Sequence, residues 1–450
     1  MHSESPAGTG SGGRSRSARR VFWGALAGIV LIALNFRGPI VAPSPILAVL
    51  QSELGMSVQT SGLLTTLPIA CFGIISFLAL PLLRRGGPDQ AIALCLAGIL
   101  AGTLLRSAGG TSLALAGTIV IGASIAVGNV LVPVIIRRDF APARVPLVTG
   151  TYTAAMNIGS MTTLILTAPL AAAFGWRIAL AVWSTLAIAA ALAWLGLVGW
   201  RDFLLGRARP KEAGSPAAGA GRPADAAATG PSPTPKQGVT APAGSAAWRR
   251  PVAWLLLITF SGQAFAFYGV STWLPTLLSD LLDLDAAAAG AGASLFQGPA
   301  IAGALAVPLL ARRMRVRTLL WLTSGAWAAL PAGLLLAPSG WVVWVTLGGV
   351  AQGAGITVIL LILVRLGGSG RQAGQLSAMV QGGGYLIGAA GPVALGSLHD
   401  FSGSWTPALL AVGASVAALL VAGSIAAAAA ERSSMTGAER APRVQDQTAE

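Results

Sequence analysis

Twelve apolar stretches recur along the chain, each near or above the length of about 20 residues that a helix needs to cross a bilayer. Short polar segments separate most of them. The pattern therefore predicts an all-α polytopic membrane protein with twelve transmembrane helices. The predicted spans lie near 21–50, 59–81, 89–105, 112–136, 146–172, 177–199, 252–275, 287–310, 317–336, 341–364, 374–396 and 405–430.

Longer polar segments divide these spans into two halves. Residues 1–20 and 431–450 are polar, and we predict disordered cytoplasmic tails there. Residues 201–250 are rich in Pro, Ala and Gly, which is typical of a flexible linker, here on the cytoplasmic side. This leaves an N-terminal six-helix half at 21–200 and a C-terminal six-helix half at 251–430.

An internal repeat indicates that the two halves are related. Arg137, at the end of the fourth span, returns 228 residues later as Arg365, at the end of the tenth. Ala155–Met156 returns 223 residues later as Ala378–Met379. One class of secondary transporters is built from two such parallel halves, with the solute site between them near the bilayer midplane.

The charge distribution predicts the orientation of the chain. Charged residues make up 10% of the sequence, against about 25% in soluble domains, and the mean hydropathy is +0.73. Of the 29 Lys and Arg residues, 26 fall in the tails, the linker and the loops on one side. This predicts a multi-pass protein of the cytoplasmic membrane with both termini inside, and only Arg106 and Arg177 on the outer side.

The same distribution limits the partners that we expect. The net charge of +14 is spread between apolar stretches, and no basic patch is interleaved with aromatic residues as in nucleic-acid-binding proteins. We therefore expect no nucleic acid partner. The expected partners are membrane lipid and a small-molecule solute, and we expect a monomer.

The motifs that carry chemistry in enzymes are missing from the sequence. It shows no catalytic triad, no metal-ligand cluster and no nucleotide-binding loop. We therefore predict no enzyme activity, no cofactor and no metal.

All 15 acidic residues lie outside the apolar stretches or at their ends, and neither His2 nor His399 is in mid-span. This argues against a buried carboxylate proton relay. Facilitated diffusion, or symport in which the solute carries the proton, fits better.

Arg37 is the one charged residue with a long apolar stretch on each side. A guanidinium stays protonated at that depth, at a cost of about 2.5–3.5 kcal/mol at a helix centre. No buried acid is available to pair with it, so an anionic or strongly polarised solute is a candidate partner, through bidentate hydrogen bonds.

Two other roles for Arg37 remain open at this stage. It could brace a first helix that is kinked by Pro39, Pro43 and Pro45, or it could snorkel to the outer interface. The 13 residues from Gly38 to Leu50, a rise of roughly 20 Å, weaken the snorkelling alternative.

Several motifs resemble those of the cyanate / 2-nitroimidazole transporter family of the major facilitator superfamily. They are Leu34–Ile40, Gly62–Pro68, Cys71–Gly73, Gly128–Pro133, Arg137–Phe140, Thr149–Met156, Gly175–Arg177, Leu376–Leu386, Gly391–Pro392 and His399–Asp400. The similarity covers about 21–200 and 250–425, and it implies the major facilitator fold. In that fold the first, fourth, seventh and tenth spans line the cavity.

Neutral polar residues within the spans complete the predicted site. Each alone is more often an interhelical hydrogen bond than a ligand. The cavity-lining spans favour Asn35, Asn129, Gln263 and Tyr268, and the family motifs favour three others. The full predicted solute-binding set is Arg37, Asn35, Asn129, Tyr152, Asn157, Gln263, Tyr268, Gln381 and Tyr385. In the seventh span, residues 265–268 contain no arginine. The positive charge is therefore expected from the first half, with aromatic and neutral polar groups from the second.

These observations predict a secondary transporter that moves a small anionic or polar solute, cyanate-like or nitro-aromatic, by alternating access. One alternative is an exporter of hydrophobic drugs or metabolites with the same fold, although the lack of a buried acid disfavours cation export. Another is a membrane sensor that does not transport. Such a sensor would need an ordered soluble domain, which the tails and linker are too low in complexity to supply.

Overall fold

A computed structural model describes the backbone of residues 11–141, 144–198, 249–367 and 371–439. Side chains are described within these ranges except at residues 11–21, 76–87, 146, 367, 371–374 and 433–439. Helices account for nearly all of the described chain, and it contains no strand. The predicted linker at 201–250 lies outside these residues apart from its last two positions.

Seven α-helices form the described part of the first half. They are α1 (Ser11–Val41), α2 (Leu47–Leu54), α3 (Val58–Ser107), α4 (Thr111–Asp139), α5 (Val145–Phe174), α6 (Trp176–Ala181) and α7 (Ser184–Val198). A 3-10 turn at Ser44–Ile46 separates α1 from α2, so the first span is a broken helix.

Eight α-helices form the described part of the second half. They are α8 (Pro251–Leu282), α9 (Ala286–Ser294), α10 (Pro299–Leu310), α11 (Val316–Leu336), α12 (Trp341–Gly367), α13 (Arg371–Gly388), α14 (Ala390–Ser402) and α15 (Thr406–Glu439). The helix α1 starts ten residues before the predicted first span, and α15 ends nine residues after the predicted last one. Once a helix is nucleated, each added residue costs little, so helices extend past their apolar segments.

Eleven stretches of the described residues are long and apolar enough to cross a membrane. Each corresponds to one of the twelve predicted spans. The remaining predicted span, 374–396, falls on α13 and α14. Its glycines, together with Gln381 and Tyr385, make this stretch less apolar than the others.

The long helix α3 contains two predicted spans. Pro68, in its first part, lies against Gly122 of α4, and Gly102, in its last part, lies against Gly117 of the same helix. A straight helix would separate Pro68 from Gly102 by about 51 Å, whereas Gly117 and Gly122 are about 8 Å apart. The chain therefore reverses direction within α3, as two antiparallel spans require.

The apolar core shows where the two halves join. One large cluster of buried side chains combines Leu47 and Trp176 of the first half with Trp273 and Trp327 of the second. Two further clusters draw their buried members from one half each. The halves therefore share a core at the end that contains the break in the first span. We call this end the closed face.

Polar contacts across the halves also lie at the closed face. The Thr272 hydroxyl donates to that of Thr65 over 2.9 Å, between α8 and α3. Gln59 Nε2, at the start of α3, donates to Asp400 Oδ2 over 2.8 Å. These bonds join the second span to the seventh and to the end of the eleventh.

Gly290 allows the eighth span to approach the fifth at the closed face. A Cβ atom at Gly290 would lie 2.5 Å from the carbonyl oxygen of Leu164. We expect Gly290→Val to force α9 away from α5 and to destabilise the protein by about 1–3 kcal/mol. Thermal unfolding of the purified protein measures this loss of stability. Gly413→Val is the matched control, because nothing lies within 4 Å of a Cβ there. Equal unfolding midpoints for the two variants would contradict the prediction.

Candidate functional site

Arg37 is held by neutral groups. Its Nη1 donates to Asn157 Oδ1 over 2.8 Å, and its guanidinium carbon lies 5.2 Å from the centroid of the Phe267 ring. Among the described residues, no carboxylate forms an ion pair with it. The Asn157 amide also donates to the carbonyl of Thr153, and this bond helps to fix the orientation of Oδ1 towards Arg37. Arg37 therefore keeps N–H donors that are available to a ligand.

These contacts place the guanidinium between the two halves. Asn157 lies near the middle of α5, in the first half, and Phe267 lies near the middle of α8, in the second. A side chain that snorkelled would instead reach the end of the spans. The snorkelling alternative is therefore wrong. Contact with a solute and bracing of the first helix remain.

All three tyrosines of the chain lie around Arg37. The Tyr152 hydroxyl donates to Asn129 Oδ1 over 3.2 Å, and the rings of Tyr268 and Tyr385 are 6.4 Å apart. The Tyr152 ring also packs edge-on against Phe36, the residue before Arg37, with ring centroids 6.3 Å apart. Within the described residues, the hydroxyls of Tyr268 and Tyr385 have no hydrogen-bond partner, so both are free to donate.

Aromatic rings from both halves surround these hydroxyl groups. The ring of Tyr385 lies 5.9 Å from that of Phe72, in the first half, and 5.1 Å from that of Phe260, in the second. Phe267 and Tyr268 are in edge contact at 4.8 Å. Tyr385 packs against the separate cores of both halves. The site is thus one cation with hydroxyl donors in an aromatic surrounding.

Asn35 faces away from this cluster. Its Nδ2 donates to the carbonyls of Leu31 and of Leu186, which belongs to α7. Two residues along an α-helix correspond to a rotation of about 200°, so Asn35 and Arg37 lie on opposite sides of α1. The described contacts make Asn35 a tether between the first and sixth spans.

Gln263 and Gln381 also bond elsewhere. Gln263 is buried, and its Nε2 donates to the carbonyl of Gln352 over 3.0 Å, inside the second half. Gln381 Nε2 donates to Ser377 Oγ one turn earlier on the same helix. Among the described residues, neither side chain contacts Arg37. The contacts bring together Arg37, Asn129, Tyr152, Asn157, Tyr268 and Tyr385, and their role in binding stays a prediction.

The sequence analysis did not identify three phenylalanines of the site. Phe267 lies under the guanidinium, and Phe72 and Phe260 contact Tyr385. Within an apolar span, a phenylalanine that lines a site has the same local pattern as one that packs in lipid. Phe267 carried one signal, because it precedes Tyr268 in the segment of the seventh span that contains no arginine.

Comparison with known proteins agrees with this architecture. Residues 25–392 match the family model for the Major Facilitator Superfamily. The chain is 31% identical over 413 residues to the uncharacterized transporter YycB of Bacillus subtilis (strain 168), covering 89% of this chain and 92% of that protein. It is 31% identical over 399 residues to the 2-nitroimidazole transporter of Escherichia coli (strain K12), covering 88% and 93%.

A more distant relative carries the other name in the predicted family. The chain is 26% identical over 380 residues to the cyanate transport protein CynX of Escherichia coli (strain K12), covering 84% of this chain and 90% of that protein. The family that the motifs indicated is therefore confirmed. With eleven apolar stretches of spanning length among its described residues and a family match over most of its length, this chain belongs to the major facilitator superfamily and is a multi-pass membrane transporter.

Proposed function

We propose that this transporter moves a small anionic or polar solute, cyanate-like or nitro-aromatic, across the plasma membrane by alternating access, with both termini in the cytoplasm. The observation that carries the proposal is Arg37, a cation between the halves whose described partners, Asn157 and Phe267, are both uncharged. A partly buried cation with neutral partners favours a negative ligand, because that ligand offsets the cost of the desolvation that remains.

The geometry of the donors suits a planar, polarised group. The guanidinium carries five N–H donors in a plane, and one of them is used by Asn157. The hydroxyl groups of Tyr268 and Tyr385 add two further donors. The two oxygens of a nitro or carboxylate group match the guanidinium fork, and the surrounding rings favour an aromatic body. The similarity to a 2-nitroimidazole transporter supports the same class of solute.

One observation favours a second candidate function. The aromatic rings around Tyr385 also suit an uncharged hydrophobic compound, which an exporter of the same fold would carry. Arg37 would then only brace the first helix. The two functions differ in whether binding depends on a negative or nitro group.

A binding screen separates the two functions. Purified protein is unfolded thermally with cyanate, 2-nitroimidazole or 4-nitrobenzoate, and with toluene or imidazole as controls that lack the anionic or nitro group. A ligand at about 100 times its Kd adds about 2.7 kcal/mol to the stability of the protein. We expect stabilisation by members of the first set, followed by saturable uptake into liposomes. Stabilisation by the controls alone would refute the proposal.

A further inference from the structure

Two prolines, Pro43 and Pro45, remove backbone N–H groups at the break in the first span. Pro43 has no N–H, so the carbonyl of Pro39 loses the donor that residue i+4 supplies in a helix. The backbone around it is still helical, with φ −66° and ψ −28° at Pro43. The preceding bond, from Ala42 N–H to the carbonyl of Gly38, is present at 2.9 Å. Pro43 by itself therefore leaves the Pro39 carbonyl without its helical hydrogen-bond donor.

Arg106 supplies the missing donor. Its Nη1 donates to the Pro39 carbonyl over 2.6 Å, from the last turn of α3. The charge pattern predicted Arg106 on the outer side of the membrane, but the structure buries it, with 1% of the side chain exposed. The reason is tight packing of the third and fourth spans, where Gly117 lies against the backbone of Arg106. Its Nε and Nη2 have no partner among the described residues.

Helix ends compensate for this buried charge. Arg106 is in the last turn of α3, and the Pro39 carbonyl is in the last turn of α1. The C-terminal end of a helix carries a partial negative charge, which favours a cation. The guanidinium contacts one such end directly, at the Pro39 carbonyl. Among the described residues no carboxylate pairs with it, so its one described hydrogen bond is to the end of α1.

The break that Arg106 holds is also part of the contact between halves. Ser44, Pro45 and Ile46 are buried, and Ile46 belongs to the core that both halves share. The Pro45 ring lies beside Gly290 of the second half, 3.4 Å from the position of a Cβ there. The shape of the break therefore decides whether the first span fits against the eighth.

We propose that Arg106 is a positioning residue for the closed face of the transporter. By replacing the hydrogen bond that Pro43 removes, it holds the break in the form that seats Pro45 against Gly290. Arg37 lies on the same helix, half a turn before Pro39. Arg106 thereby sets how readily the halves separate at the closed face, whichever solute the protein carries.

The test measures how often the closed face opens. Cys71 and Cys95 are replaced by alanine, and Ser44, which is 1% exposed, is replaced by cysteine as a reporter. The rate at which a membrane-impermeant maleimide labels residue 44 is then measured in purified protein. We expect Arg106→Met to raise this rate about tenfold, the effect of losing one charge-assisted hydrogen bond.

A second substitution shows whether the Pro39 carbonyl is the cause. Pro43→Ala returns an N–H to residue 43, so the double variant Arg106→Met/Pro43→Ala should label within about twofold of the parent. Pro39→Ala is the matched control, because its new N–H faces the Asn35 carbonyl, which Arg106 does not contact. It should leave the fast labelling of Arg106→Met unchanged.

Every outcome of this comparison bears on the proposal. Unchanged labelling in Arg106→Met, or equal rescue by Pro43→Ala and Pro39→Ala, would overturn it. Arg106→Met alone could fail to fold. In that case the proposal is supported if adding Pro43→Ala restores folding and adding Pro39→Ala does not. Failure of both double variants to fold overturns it. No solute is added, so a failed solute screen leaves the result unaffected.

Discussion

Replacing Arg37 by glutamine is expected to weaken binding of the anionic or nitro-aromatic solute by roughly 30- to 1,000-fold. The change removes a partly buried, charge-assisted interaction with the solute, which is worth about 2–4 kcal/mol. Glutamine keeps a neutral amide donor, but its side chain is two atoms shorter than that of arginine, so the hydrogen bond from Nη1 to Asn157 Oδ1 is lost with the charge. The Kd of each solute that stabilises the wild type, measured by titration calorimetry, checks this prediction. Arg37→Lys keeps the positive charge but loses the planar pair of N–H donors of the guanidinium. We expect it to weaken solute binding by about tenfold, an intermediate effect.

The stability of the same variant distinguishes the two roles left for Arg37. If it binds solute, the ligand-free protein pays for a desolvated charge, and Arg37→Gln should unfold at the same or a higher temperature. If it braces the first helix, the unfolding temperature should fall while the Kd stays unchanged. Arg177→Gln is the matched control, since Arg177 also lies over an aromatic ring, that of Trp176, away from the Arg37 cluster. We expect it to leave solute affinity unchanged.

The sequence predicted the fold well because a bilayer restricts what an apolar stretch can do. Backbone groups in lipid must bond within their own segment, so an apolar stretch of spanning length is a helix. The span at 374–396 shows the limit of this rule. Its glycines and the side chains of Gln381 and Tyr385 make it the least apolar of the twelve, because it contacts the site and the other half as well as lipid.

The site was harder to predict, because sequence shows which residues are polar but not where they point. Asn35 and Asn157 are alike in the pattern, both amides within apolar spans. Asn157 accepts a hydrogen bond from Arg37. Asn35 is on the same helix as Arg37 but on its opposite side, where it donates to the carbonyl of Leu186. The difference depends on helix rotation and on which neighbours pack there, which are tertiary properties.

Arg106 shows a different limit of sequence reasoning. Counting charges by loop treats an arginine near the end of a span as a marker of topology. The structure shows that such an arginine can instead satisfy a carbonyl that a proline has opened. The signal was in the sequence, as Pro39 and Pro43 at i and i+4. The partner on another span could not be identified without the fold.

The largest stability effect that we expect comes from a charged cluster within the first half. Arg138, at the end of α4, binds both oxygens of Asp89 over 2.7 and 2.8 Å, and it also contacts Asp139. Asp89 is 6% exposed, and Trp194 of α7 donates to its carbonyl. We expect Asp89→Asn to destabilise the protein by about 2–4 kcal/mol, because it leaves a half-buried guanidinium with one carboxylate fewer. Thermal or chemical unfolding measures the loss.

Asp283→Asn is the control for this prediction. Asp283 adopts φ of 53°, a conformation that asparagine also tolerates, so we expect its unfolding midpoint to stay unchanged. The double variant Asp89→Asn/Arg138→Gln should lose less than the sum of the two single variants, since the partners share one interaction. Additive losses would show that the pair is not coupled.

The contacts of the cluster link the third, fourth and sixth spans of one half, so Asp89→Asn should lower stability without changing the labelling of residue 44. A faster labelling rate would mean instead that this cluster, like Arg106, helps to keep the closed face shut.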